Sequence, residues 1–135
     1  MLIASIDHVV LTVTDMEATI AFYTRVLGMQ LETFGEGRKA LRFGDQKFNL
    51  QDGKSKVDIV AVARKPTPGS VDLCLLAAVP LDMVMAHLRE ENVPIDSGPV
   101  ARTGARFPLR SIYIRDPDGN LIEISEQAPR PASGP

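Results

Sequence analysis

The sequence predicts an α+β fold of two tandem β-α-β-β-β modules, about 4–52 and 70–126, forming a curved mixed sheet around a cleft. Three observations carry this expectation. Residues 6–13 alternate with a period of two, Val9, Leu11 and Val13 against Ile6, His8, Val10 and Thr12, the pattern of a half-buried strand. Met16, Ile20, Tyr23 and Leu27 then recur at spacings of four, three and four, the stripe of a helix packed on a sheet. The same order of strand, helix and short strands begins again near Val71, so the chain looks like a duplicated unit.

Composition narrows the function classes. With 44% hydrophobic and 24% charged residues over 135 positions, the chain is expected to form a single globular domain over 1–127. A formal charge of -2 offers no basic stripe for nucleic acid. No apolar run is long enough to span a bilayer, and residues 1–5 enter the first strand pattern without a basic region or cleavage site. A cytoplasmic location with no membrane partner is therefore expected. The lone cysteine, Cys74, cannot form an internal disulfide, which agrees with a reducing compartment. With no His or Lys beside it in sequence, it reads as a small strand hydrophobe rather than a reactive thiol.

The elements follow in order. Thr14-Asp15-Met16-Glu17 fits a capping box, Thr14 as cap and Glu17 reaching back, and Gly28 closes the helix in the left-handed conformation. Short strands are expected at 29–34, 39–43 and 47–51, separated by turns at Gly35-Glu36-Gly37 and Gly44-Asp45. In the last strand Phe48 and Leu50 face one way, and Lys47, Asn49 and Gln51 the other. Residues 53–69, with a short apolar stretch at 57–63 and prolines at Pro66 and Pro68, read as a semi-rigid linker. The second module opens with a strand at 71–76. A helix follows that Pro80 opens, Leu81, Val84, Met85 and Leu88 stripe, and Asn92 ends. His87 falls off that stripe and is expected to be exposed. Gly98-Pro99 reads as a turn and 102–106 as a polar loop. Residues 111–115 and 121–125 form a hairpin about the type I turn Asp116-Pro117-Asp118-Gly119, with Tyr113 and Glu123 on one face. Residues 128–135 are expected to be a flexible tail.

Aligning the repeats singles out four polar residues. Superposing Ile6-Asp7-His8-Val9-Val10-Leu11 on Ser70-Val71-Asp72-Leu73-Cys74-Leu75 places His8 on Asp72, and superposing 47–51 on 121–125 places Asn49 on Glu123. All four share the strand face opposite the helix, so sheets that curve together bring them into one cleft. His8, Asp72 and Glu123 supply one imidazole and two carboxylates, metal ligands by type, with Asn49 a weak fourth through its amide oxygen. The same residues also fit a buried ion pair with no metal. None has the fixed local spacing of a zinc motif, and the residues alone leave both readings open.

Three stretches carry a resemblance: Ile6-Asp7-His8-Val9, Ala21-Phe22-Tyr23-Thr24-Arg25-Val26-Leu27-Gly28-Met29, and Arg115-Asp116-Pro117-Asp118-Gly119-Asn120-Leu121-Ile122-Glu123. Together they resemble the vicinal oxygen chelate superfamily, which includes glyoxalase I, extradiol dioxygenases, fosfomycin-modifying enzymes and bleomycin-resistance proteins. The likeness runs to Glu126. Gly98-Pro99-Val100-Ala101-Arg102-Thr103-Gly104-Ala105 further looks like short stand-alone glyoxalase-domain-containing proteins, some bacterial examples of which are labelled virulence proteins. The resemblance implies a glyoxalase-like fold, modules that pair within a chain or across a homodimer, and metal ligands from the first and last strands of each module. His8, Asn49, Asp72 and Glu123 hold those positions, and Glu123 matches a residue that glyoxalase-like enzymes use as ligand and often as base. Asp72 stands where histidine is common, and Asn49 where glutamate or histidine is common. The missing second histidine counts against extradiol dioxygenase chemistry.

Two functions of different class follow. The first is a metal-dependent lyase or isomerase acting on a small substrate with adjacent oxygens, its metal being nickel, cobalt, manganese, iron or zinc. In it Glu123 is the base, His8 and Asp72 are fixed ligands, and Tyr113 and Asn49 contact substrate. Arg102, with Arg106 and Arg110 in or beside the same loop, is placed to hold an anionic end, or is simply solvated. The second is a module that sequesters a drug or metabolite in the same cleft without metal. A thiol-based role for Cys74 stands third.

Overall fold

The computed structural model describes residues 1–55 and 62–129, so the expected apolar stretch at 57–63 and the tail at 128–135 lie largely outside the described residues. Its strands form two four-stranded mixed sheets. The first contains β1 (His8–Val13), β2 (Gln30–Phe34), β3 (Arg38–Phe43) and β4 (Gln46–Asp52), in the order β1-β4-β3-β2, with β1 parallel to β4. Period-two alternation turns Leu11, Val13, Leu41, Phe48 and Leu50 to one face, where all five are buried. The Tyr23 ring stands edge-on to Phe48 there, 5.9 Å between centroids, and seats the helix on the sheet.

That helix departs from expectation at both ends. In α1 (Met16–Ala21) the cap is Asp15, not Thr14: the Ala18 amide donates to Asp15 Oδ1 at 3.1 Å, and no capping box forms. Thr14 is engaged elsewhere, its amide donating to the Asp118 carboxylate at 3.2 and 3.3 Å. After Ala21 the chain widens into a π-helical turn, Phe22–Val26, so the four-three-four stripe gives way to Thr19 and Tyr23 as the fully buried positions. Gly28, at φ +72°, closes the segment as expected.

The second sheet contains β5 (Asp72–Leu76), β6 (Ser97–Thr103), β7 (Pro108–Arg115) and β8 (Leu121–Gln127), in the order β5-β8-β7-β6. The expected turn at Gly98-Pro99, and part of the expected loop at 102–106, are in fact strand β6. This strand lies at the sheet edge, where a proline without an amide proton is tolerated, and its register slips between Ser97 and Val100. Gly98 has φ +101°, and a Cβ there would run into the Ser111 carbonyl. Between β5 and β6, α2 (Leu81–Glu90) buries Leu81 and Leu88; His87 is half-buried rather than exposed. Pro80 offers its first turn no side-chain cap, and Glu126 of β8 takes that role, its Oε2 accepting from the Leu81 amide at 3.0 Å.

The repeat is exact in register. In β1·β4, His8 is opposite Lys47 and Val10 opposite Asn49; in β5·β8, Asp72 is opposite Leu121 and Cys74 opposite Glu123. His8 and Asp72 are thus equivalent positions, as are Asn49 and Glu123.

The chain divides into two compact units, one of Met1–Val71 with Asp116–Asn120, the other of Asp72–Arg115 with the chain from Leu121. The turn between β7 and β8 therefore packs as part of the first unit. Asp116, only 6% exposed, accepts from the Tyr23 hydroxyl at 2.7 Å and Asn120 Nδ2 at 2.8 Å through Oδ2, and from the Asp118 and Asn120 amides through Oδ1. Asn120 passes the contact on, its Oδ1 accepting from the Val71 amide at 2.8 Å. Burial, then the Asp116 charge, push the Tyr23 hydroxyl far above its ordinary pKa, so it stays a donor. Among the described residues, no helix is long and apolar enough to cross a membrane.

Two outcomes test this framework. Tyr23→Phe removes a hydrogen bond to a buried charge and should lower unfolding free energy by about 2 kcal/mol in urea titrations; a loss below about 0.5 kcal/mol would contradict the role given to Asp116. The Leu81 amide, and after it Arg110 at 3.0 Å, hold the Glu126 carboxyl below its ordinary 4.5. A carboxyl lowered in the folded state stabilises above its unfolded pKa and loses that contribution as pH falls through the folded value. Glu126→Gln should therefore flatten the acid limb of the urea midpoint below about pH 4.5, and an acid limb unchanged from wild type would refute the assignment.

Candidate functional site

In the first unit the expected site residues are His8 and Asn49. His8 stands on β1 with its side chain 42% exposed, and Nδ1 lies 2.8 Å from Asp7 Oδ1. A carboxylate only accepts, so Nδ1 is the donor in this bond, which leaves Nε2 as the ring nitrogen not engaged by Asp7. That is the outer-shell arrangement common behind metal-binding histidines. Asn49 has opposite properties. Flanked by Val10 on β1 and Ala40 on β3, it is 5% exposed, and its Oδ1 is buried without a hydrogen-bond partner. An orphaned buried amide oxygen costs stability and calls for a donor or a cation.

The second unit presents Asp72, Glu123, Tyr113 and Arg102. Register aligns Cys74, Glu123 and Tyr113 in one row across β5, β8 and β7, and the next row runs Leu76, Ser125 and Ser111. Glu123 is half-buried, its Oε2 accepting from Ser125 Oγ at 3.2 Å. Arg102 donates from Nε to the Tyr113 hydroxyl at 2.7 Å with its guanidinium 5.5 Å from the ring centre, which fixes both. Asp72 is exposed on the same face of β5 as Cys74, one row away from Glu123.

A cavity of about 320 Å³ opens in this sheet. Its wall includes Glu123, Cys74, Leu76, Leu109 and Gln127, and its rim is 103–107, which carries Arg106. Of the three arginines expected near the site, Arg106 alone lines this cavity; Arg110 is drawn to Glu126 and Asp82, and Arg102 to Tyr113. The Cys74 thiol shares the wall, but burial, then the neighbouring Glu123 and Asp72 carboxylates, raise its pKa above 9.0 despite a bond to Ser125. A thiol so placed is a poor nucleophile.

The donor set suits a divalent metal in part. His8 has an oriented ring nitrogen, Glu123 a half-buried carboxylate, and Asp72 an exposed one, and one imidazole with two carboxylates is a borderline-to-hard set. Among the described residues, however, no three His, Cys, Asp or Glu side chains gather closely enough to share an ion. Sequence reasoning missed Asp7 and the buried pair Ser111 and Ser125. Alternation does put both serines on the face of Glu123, and two fully buried hydroxyls there were the available signal.

The profile of the Glyoxalase/Bleomycin resistance protein/Dioxygenase superfamily matches residues 5–124. The virulence protein STM3117 of Salmonella typhimurium strain LT2 is 50% identical over 126 residues, 93% of this chain and 86% of that one, and its crystal structure superposes with a TM-score of 0.90. The glyoxalase domain-containing protein RDO1 of Mycosarcoma maydis is 51% identical over 124 residues, covering 91% of this chain and 68% of its own. The crystal structure of a lactoylglutathione lyase from Agrobacterium tumefaciens superposes with a TM-score of 0.70 at 25% identity, covering 91% of this chain and 93% of the other.

Proposed function

Because the chain belongs to the Glyoxalase/Bleomycin resistance protein/Dioxygenase superfamily, we propose that it is a glyoxalase-like, metal-dependent lyase or isomerase acting on a small substrate with adjacent oxygens. The observation that carries this reading is Glu123, a half-buried carboxylate tied through Oε2 to Ser125 in the wall of a cavity of about 320 Å³. Glu123 removes and returns the substrate proton as general base, with Leu76 and Leu109 in the same cavity wall. Tyr113, held by Arg102, offers a fixed polar surface beside it. His8, Asp72 and Glu123 are the proposed ligands of nickel, cobalt, manganese, iron or zinc, with Asn49 contacting substrate. A metal held by these residues would supply Lewis-acid polarisation of the substrate's oxygens. The proposed working form is a cytoplasmic homodimer.

A second reading is favoured by one observation. The orphaned, buried Oδ1 of Asn49 accepts a hydrogen bond from an organic ligand as readily as it meets a cation. On that reading the protein sequesters a drug or metabolite without metal, in the manner of bleomycin-resistance proteins.

Metal analysis separates the two. Protein isolated from cells, or reloaded after chelation, should hold a stoichiometric divalent metal that His8→Ala and Glu123→Ala both lose, and the loaded protein should turn over a thiol adduct of a 2-oxoaldehyde. Protein that takes up none of nickel, cobalt, manganese or zinc overturns the enzyme reading and leaves sequestration.

A further inference from the structure

The buried serines behind Glu123 carry an inference that rests on the reading of Glu123 as ligand and base. Ser111 and Ser125 are both 0% exposed and face each other across β7 and β8, with their hydroxyls 2.6 Å apart. Ser125 Oγ also lies 3.2 Å from Glu123 Oε2 and 3.3 Å from the Cys74 sulfur. Three groups thus converge on one hydroxyl, and each has a fixed capacity. A serine hydroxyl has one proton to give and two lone pairs to accept with, whereas an ionised carboxylate only accepts.

These capacities settle the direction of every bond. Ser125 gives its one proton to Glu123. Ser111 then donates to Ser125, and the Cys74 thiol donates weakly into the remaining lone pair. All the protons in the cluster point toward the carboxylate, in a buried setting where such a chain is stronger than its members alone. We propose that Ser125, with Ser111 behind it, is the positioning residue of Glu123. It fixes which oxygen is tied back and leaves Oε1 as the atom for ligand or substrate. Of the cross-strand neighbours of Glu123, the Tyr113 hydroxyl meets Arg102, and the Cys74 thiol, bonded to Ser125 and to Glu123 itself, is the weaker donor.

Two variants test this. Ser125→Ala removes the donor but leaves the Ser111 hydroxyl buried without its partner, at a cost to folding; Ser111→Ala/Ser125→Ala removes both hydroxyls, which is commonly near neutral. Crystal structures of both variants are to be compared with wild type, and cobalt(II) affinity followed by its visible absorption. The expected result is a retained fold, a Glu123 carboxylate displaced or spread over several rotamers, and cobalt affinity lower by about 10- to 100-fold, as for lost outer-shell partners. A Glu123 carboxylate that keeps its wild-type place in the double variant overturns the proposal, whatever the cobalt titration reads. If wild type binds no cobalt, the position of Glu123 in the double variant alone decides whether the serines hold it.

Discussion

A single buried carboxylate, that of Asp116, receives four hydrogen bonds: one from a tyrosine hydroxyl in the π-helical turn of the first unit, three from the turn it begins. The Asn120 amide oxygen, fixed by the same carboxylate, then holds the Val71 amide at the threshold of β5. So much satisfied polarity in a site shielded from water leaves the turn one conformation, since any other would strand a charge or several amide protons. The consequence reaches beyond the turn. It sets where β8 begins, with Arg115 opposite Leu121, and a strand slipped by one residue presents the opposite set of side chains on each face. Glu123 is on the polar face, and Ile122 and Ile124 in the core, because Asp116 and Asn120 are where they are.

The two modules use the same register for different chemistry. At equivalent places the first has an exposed imidazole, oriented by Asp7, and a buried amide with nothing to bond; the second has an exposed carboxylate and a half-buried one tied to a serine pair. The same strand register thus carries different polar residues in the two modules. The organised donors, the rigid Arg102–Tyr113 pair and the cavity all gather in the second module. That concentration is why Glu123 bears the proposed catalysis, with His8 as the proposed imidazole ligand from the first module.

Much of this was legible in the sequence, for physical reasons that differ by element. The strand faces followed from period-two alternation, the hairpin from Asp116-Pro117-Asp118-Gly119, and the helix end from Gly28, because each is a local rule that tertiary contacts did not oppose. β6 was hidden because a Gly-Pro pair ordinarily breaks a strand, and only an edge position with a shifted register makes it tolerable. The cap moved from Thr14 to Asp15 because Asp118, distant in sequence, had claimed the Thr14 amide. The π-helical turn obeys the same non-local demand, since it is the segment from which Tyr23 reaches Asp116. Only part of the proposed site can be read from the sequence. Residue type and repeat position pointed to His8 and Glu123, but the neighbours that orient them, Asp7 and Ser125, are ordinary residues whose meaning comes only from distance.

The proposed ligands are one imidazole, of His8, and the carboxylate oxygens of Asp72 and Glu123. X-ray absorption at the metal edge of cobalt-loaded protein reads those ligands directly. The expected spectrum has one imidazole nitrogen among oxygen donors, with the imidazole signal lost in His8→Ala. A sulfur shell from Cys74, or an imidazole signal that survives His8→Ala, would contradict it.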